Sequence, residues 1–156
     1  MQDRFPEAAV RHYHDGVILR QADRYDNAMC HYAFSAECAI KAFRIQLHQF
    51  YKIRNPSGPV VKEKLISHAV DSVMPSLIEY HELLGVLDPH FSLLIGVEVP
   101  PTILFQEHPV RRYGNDVNYT DIELSVCESF TSRLVKQVIA AALDGQLEYE
   151  SERGTL

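Results

Sequence analysis

Between Tyr25 and Phe50 the apolar side chains recur every three or four residues: Tyr25, Ala28, Tyr32, Ala36, Ala39, Ile40, Phe43, Leu47 and Phe50. That is the period of an α-helix, and its length and regularity predict the central helix of the protein. Ahead of it, Ala9 or Val10, Tyr13, Val17 and Ile18 mark a first amphipathic helix. Pro6 is suited to its first turn, where the missing N–H costs nothing and φ is already helical. The break falls at Gln21 to Asp23, with Asp23 placed to cap the second helix. The segment NPSGP, residues 55–59, ends that helix, because prolines do not continue it and glycine adopts positive φ readily.

The second half of the chain is more broken. Residues 62–70 are weakly helical, and Pro75 implies a kink or a fresh helix before the face of Leu77, Ile78, Tyr80, Leu83 and Leu84, which Gly85 stops. Asp88 and Pro89 open a short helix through Leu93, Leu94 and Ile95, closed by Gly96. From Val97 to Tyr119 the prolines at 100, 101 and 109 leave a long loop, a length usually associated with function or partner binding. Thr120 and Glu123 then form a capping box, each side chain satisfying an otherwise unbonded amide. The last helix carries Ile122, Val126, Phe130, Leu134, Val138 and Ala141 on one face. The expected fold is therefore all-α: an antiparallel, up-and-down bundle of four to five main helices over residues 1–145, with a long loop before the last helix. Residues 146–156 form an acidic, frayed tail.

The chain's 156 residues suit a single core, and 46% hydrophobic with 23% charged residues is the composition of a globular protein. A formal net charge of -6 argues against a broad basic face for sequence-independent nucleic-acid binding, so any such contact is local. No apolar run approaches the ~20 residues that span a bilayer, and the N-terminus lacks the apolar core of a signal peptide; a cytoplasmic protein making no membrane contact is expected. Cys30, Cys38 and Cys127 form no CxxC pair and read as reduced, packed thiols.

Eight histidines raise a metal hypothesis, but their spacing supplies no support. His12 and His14 project to nearly opposite sides of a helix, and HExxH, zinc-type cysteine pairs and the Glu-x-x-His of di-iron bundles are all missing. GxSxG, GxGxxG and the P-loop are missing too, so neither a metal nor a cofactor is expected. Two features go beyond bundle packing. Glu37 and Lys41 lie one helical turn apart in the densest apolar part of the central helix, either as an ordinary surface pair or as part of a site. Residues 110–119, VRRYGNDVNY, gather arginines, tyrosines and amides in the long loop, either as a solvated tip or as a binding element.

Together these features resemble the HEPN family of small helical domains. The likeness rests on RYDNAMCHYAFSAECAIK at residues 24–41, on His68 after the next turn, and on Arg112 and Tyr113 before the final helix, and it covers roughly residues 8–143. The resemblance implies a helical domain, often a homodimer, whose active members are metal-independent ribonucleases. There an Arg grips the scissile phosphate, and a His separated from it by four to six intervening residues moves the proton of the attacking 2′-hydroxyl. Here Arg111 and Arg112 are followed in that window by Asp116, Val117 and Asn118, with no imidazole. General acid–base help is worth ~10²- to 10⁴-fold, so its loss removes most of such an activity. Arg24 and His31 match the spacing, but within the second helix rather than at the family's position.

The expectation is thus a non-catalytic HEPN-like module that binds a protein partner, nucleotide or nucleic-acid end as a homodimer. Its binding residues would be Glu37, Lys41, Arg111, Arg112, Tyr113, Asn115 and Asn118. The alternative is a ribonuclease toxin or defence effector with a non-standard site built from His108, Arg111, Arg112 and Tyr119. A third reading is a purely structural partner of a protein encoded nearby.

Overall fold

The computed structural model describes residues 4–54, 56–57, 99–100, 119–145 and 147, and within them the protein is three packed α-helices with no strand. Helix α1 spans Phe5–Gln21, with Pro6 in its first turn as the sequence predicts. Helix α2 spans Tyr25–Arg54 and ends where the NPSGP segment begins. Helix α3 spans Asp121–Leu143 and opens on the predicted capping box, in which the Glu123 amide donates to the Thr120 hydroxyl and the Thr120 amide to the Glu123 carboxylate. The expected helices between residues 62 and 96 and the loop before α3 lie outside the described residues.

The turn between α1 and α2 is made differently from the expectation. Asp23 takes a positive φ of 56° and reverses the chain after α1 instead of capping α2. Aspartate tolerates this left-handed conformation better than most residues, because its short side chain bonds locally. Its carboxylate accepts the Tyr25 hydroxyl at 3.3 Å. The two helices then run antiparallel, with Lys41 over the Phe5 ring, the Ser35 hydroxyl on the Ala9 carbonyl at 2.6 Å, and His12 against His31. Nearest the turn, Gly16 receives Tyr32 so closely that a Cβ there would sit 2.6 Å from the ring and 3.3 Å from the Ala28 carbonyl.

Helix α2 is buried around most of its circumference, with Ala28, Met29, Tyr32, Ala33, Ala36, Ala39, Ile40, Phe43 and Leu47 in the core. That is how a helix at the centre of a bundle reads. The apolar faces of its neighbours differ in part from the expectation. Ile18 of α1 is exposed, whereas Ala9 and Gly16 face α2. In α3, Ile122 and Val126 are exposed, and Leu124 and Cys127 enter the core ahead of Phe130, Leu134, Val138 and Ala141. The first two turns of α3 are therefore rotated relative to a stripe drawn through Ile122. After Gly145, at φ 72°, Leu147 folds back and its amide donates to the Ala141 carbonyl, so the core extends just past the helix end.

One polar network joins all three helices. Glu128 of α3 accepts the Tyr32 hydroxyl at 2.6 Å and the Arg20 guanidinium at 2.7 Å, and Arg20 also donates to the Ser125 hydroxyl at 2.9 Å. Burial pushes the Glu128 carboxyl up, but the Tyr32 hydroxyl and then Arg20 outweigh it, leaving the carboxyl below its ordinary value. Burial and the bond to Glu128 hold the Tyr32 phenol well above its own. Seven residues earlier on each helix, the Asp121 charge acts on Tyr25, so α2 and α3 run in the same direction.

Tyr32→Phe deletes a hydrogen bond to a charged acceptor and is expected to cost about 1.5–3 kcal/mol in denaturant unfolding. Gly16→Ala gains about 1 kcal/mol of helix propensity. It collides with a ring whose hydroxyl is anchored, and overpacking of that kind costs about 1–3 kcal/mol, so the expected net effect is destabilising. An unchanged or higher unfolding free energy would show that Tyr32 is not held as described.

Candidate functional site

Glu37, Lys41, Arg44 and His48 follow one another at intervals of four, three and four residues along α2, which aligns them on one face. The first three are buried: Glu37 is 6% exposed, Lys41 4% and Arg44 1%. These values remove the ordinary surface-pair reading of Glu37 and Lys41. The Lys41 ammonium donates to the Glu37 carboxylate within a turn of helix, and lies 5.7 Å from the centre of the Phe5 ring of α1. An aromatic face stabilises a desolvated cation. Arg44, one turn further on, is the largest fully buried side chain among the described residues. Burying charge costs several kcal/mol per ion before compensation, so a charged row in the interior of a small bundle is costly to maintain. A buried ion pair is weak evidence of stabilisation, which makes this row a candidate for function.

Cys38 lies next to Glu37 and is half-buried. Burial, and then the Glu37 carboxylate, push its thiol up to about 12, so it stays protonated at neutral pH. Cys127 is buried in the core as the sequence predicts.

A second group of chemically competent side chains lies where α1 crosses α2. His12 Nδ1 and His31 Nδ1 are 3.2 Å apart, and His31 Nδ1 lies 3.8 Å from Asp15 Oδ2. Phe34 packs against both imidazoles, at ring separations of 5.5 and 6.2 Å. Two nitrogens at that distance share one hydrogen, one ring donating and the other accepting. Burial, then the neighbouring His31 and Arg11, lower the His12 pKa from 6.5, while Asp15 and Glu37 act against them.

Of the residues predicted from the sequence to form a site, Glu37 and Lys41 are brought together as a pair. Tyr119 is half-buried and packs against the core immediately before α3. His68, His108, Arg111, Arg112, Tyr113, Asn115 and Asn118 lie outside the described residues. Arg44, His12 and His31 were not singled out for a site. Arg44 was legible in principle, because it continues the spacing that links Glu37 and Lys41. The His12–His31 pair was not, because it joins two helices across a turn whose register the sequence leaves open. Comparison with models of protein families, with curated proteins and with solved structures finds no match.

The lowered pKa of His12 fixes the sign of a pH effect. The folded chain binds this proton less readily than the unfolded chain, so the contribution of His12 is complete above 6.5 and is lost as pH falls through the lower folded value. The unfolding midpoint is expected to drop below pH 6.5 in the native chain and to drop less in His12→Asn. Equal acid sensitivity of the two proteins would remove His12 as the cause.

Proposed function

We propose that this chain is a HEPN-like helical module that works by binding an anionic group, a nucleotide or a nucleic-acid end, and not by cleaving RNA. The observation that carries this reading is the buried charged row on α2, where Glu37, Lys41 and Arg44 lie within two turns of one another. The chain as a whole carries a formal charge of -6, so cationic groups kept in the interior run against its overall balance. A guanidinium presents a planar fork of donors that matches phosphate oxygens, and an ammonium adds a point charge beside it. The row thus supports local recognition of an anion in a protein without a broad basic surface.

The finer architecture belongs to the same proposal: an up-and-down bundle of four to five helices with a long loop before the last. The parallel course of α2 and α3 supports the four-helix form of it, since alternating directions give this result when one helix lies between them. In this proposal the loop from Arg111 to Asn118 adds Arg111, Arg112, Tyr113, Asn115 and Asn118 to the binding surface, and the module is a homodimer. The absence of an imidazole at positions 116–118 supports binding over catalysis, because asparagine and valine exchange no proton near neutral pH.

The test uses the full chain and a 5′-phosphorylated oligoribonucleotide, with its unphosphorylated counterpart and a mononucleotide as comparisons. The RNA is expected to stay intact and to bind saturably. Arg111→Ala with Arg112→Ala, and separately Lys41→Met, are each expected to weaken binding by about 10- to 100-fold, the worth of a charge-assisted contact. Cleavage abolished by Arg112→Ala would replace this reading with the ribonuclease one. Affinity for every anion left unchanged by both substitutions would replace it with a protein-partner role.

A further inference from the structure

The His12, Asp15 and His31 cluster lies outside the charged row and is not used by the proposed anion binding. We infer that these three side chains form a binding site for a divalent first-row transition-metal ion of the zinc type, on the seam between α1 and α2. The site is assembled from His12 and Asp15, three residues apart on α1 and so on one face, and from His31 on α2. All three donor atoms lie within 4.8 Å of one another.

The separations are those of ligands sharing an ion. Two nitrogens bound to tetrahedral zinc at ~2.0–2.1 Å lie about 3.3–3.4 Å apart. His12 Nδ1 and His31 Nδ1 are 3.2 Å apart, and Asp15 Oδ2 is 3.8 Å from His31 Nδ1. The three donor atoms are thus close enough together to be ligands of one ion. Two imidazoles and one carboxylate suit zinc, cobalt, nickel or ferrous iron and not the all-oxygen preference of calcium or magnesium.

Protonation state and surroundings favour the same occupant. A metal-bound imidazole must be neutral at the ligating nitrogen, so the ion binds in competition with the proton. Ligation through both Nδ1 atoms places the hydrogens of both rings on Nε2 and replaces the hydrogen that the two nitrogens otherwise share. Asp15 and Glu37 contribute negative potential at His12, and Arg11 opposes them. Phe34 shields one side of the pair from water. Three protein ligands leave a fourth position for water or an anionic ligand, the pattern of zinc sites that do more than hold a fold together.

The experiment is calorimetric titration of the full chain with Zn²⁺, with Co²⁺ absorption spectra and zinc-edge X-ray absorption on the native protein. One equivalent is expected to bind, with a first shell containing two imidazoles and one carboxylate. The double variant His12→Ala, His31→Ala is expected to lose at least about tenfold in affinity, since even outer-shell partners cost 10–100-fold. Exposed His14 is the control, and His14→Ala is expected to bind like the native chain. Absence of a one-equivalent event, native affinity in the double variant, or a first shell without two imidazoles would overturn the assignment. The X-ray absorption arm needs only the native chain, so misfolding of a variant leaves the test decisive.

Discussion

The Glu128 carboxylate on α3 receives the Tyr32 hydroxyl from α2 and the Arg20 guanidinium from α1, and through it the three helices are tied at one level. Apolar packing alone is non-directional, and a row of alanines such as Ala28, Ala36 and Ala39 lets helices slide at little cost. A bonded carboxylate does not. It sets the rotation of α2 about its axis, because Tyr32 must reach Glu128, and it sets the height of α1, because Arg20 must arrive from the opposite direction. The absence of a side chain on Gly16 then lets α1 close over the Tyr32 ring.

With α2 fixed in rotation, the placement of its other side chains follows. The face carrying Glu37, Lys41 and Arg44 is held in the interior beside the apolar one, so charges that would be unremarkable on a surface helix are withdrawn from water. The burial of Lys41 is sustained by its pairing with Glu37 and by the Phe5 ring. An arrangement of this type contributes little net stability, since desolvation offsets attraction. In the anion-binding reading proposed above, it places fixed charge in a low-dielectric setting, where electrostatic interactions are strengthened.

The same seam brings His12 to His31. The α1–α2 turn at residues 22–24 pairs positions at similar distances on either side of it: Phe5 with Lys41, Ala9 with Ser35, His12 with His31, Gly16 with Ala28. The charged row and the imidazole pair are therefore two levels of one helical hairpin, and the field of Glu37 reaches His12.

The periodicity of residues 25–47, the break at 21–23, the end of α2 at the NPSGP segment and the capping box at Thr120 were all legible in the sequence. Each is decided locally, by side-chain spacing along one helix or by bonds within one turn. Glu37 and Lys41 could be paired for the same reason, one turn apart. Whether that pair faced water was not a local matter, and neither was the rotation that turned Ile18, Ile122 and Val126 outward and brought Leu124 and Cys127 in. An amphipathic stripe wider than its contact area permits more than one rotation, and a polar bond from another helix selects among them. His12 and His31, nineteen positions apart, acquired a relationship only when the hairpin closed, because chemistry shared between helices depends on register, and register is fixed by tertiary contacts.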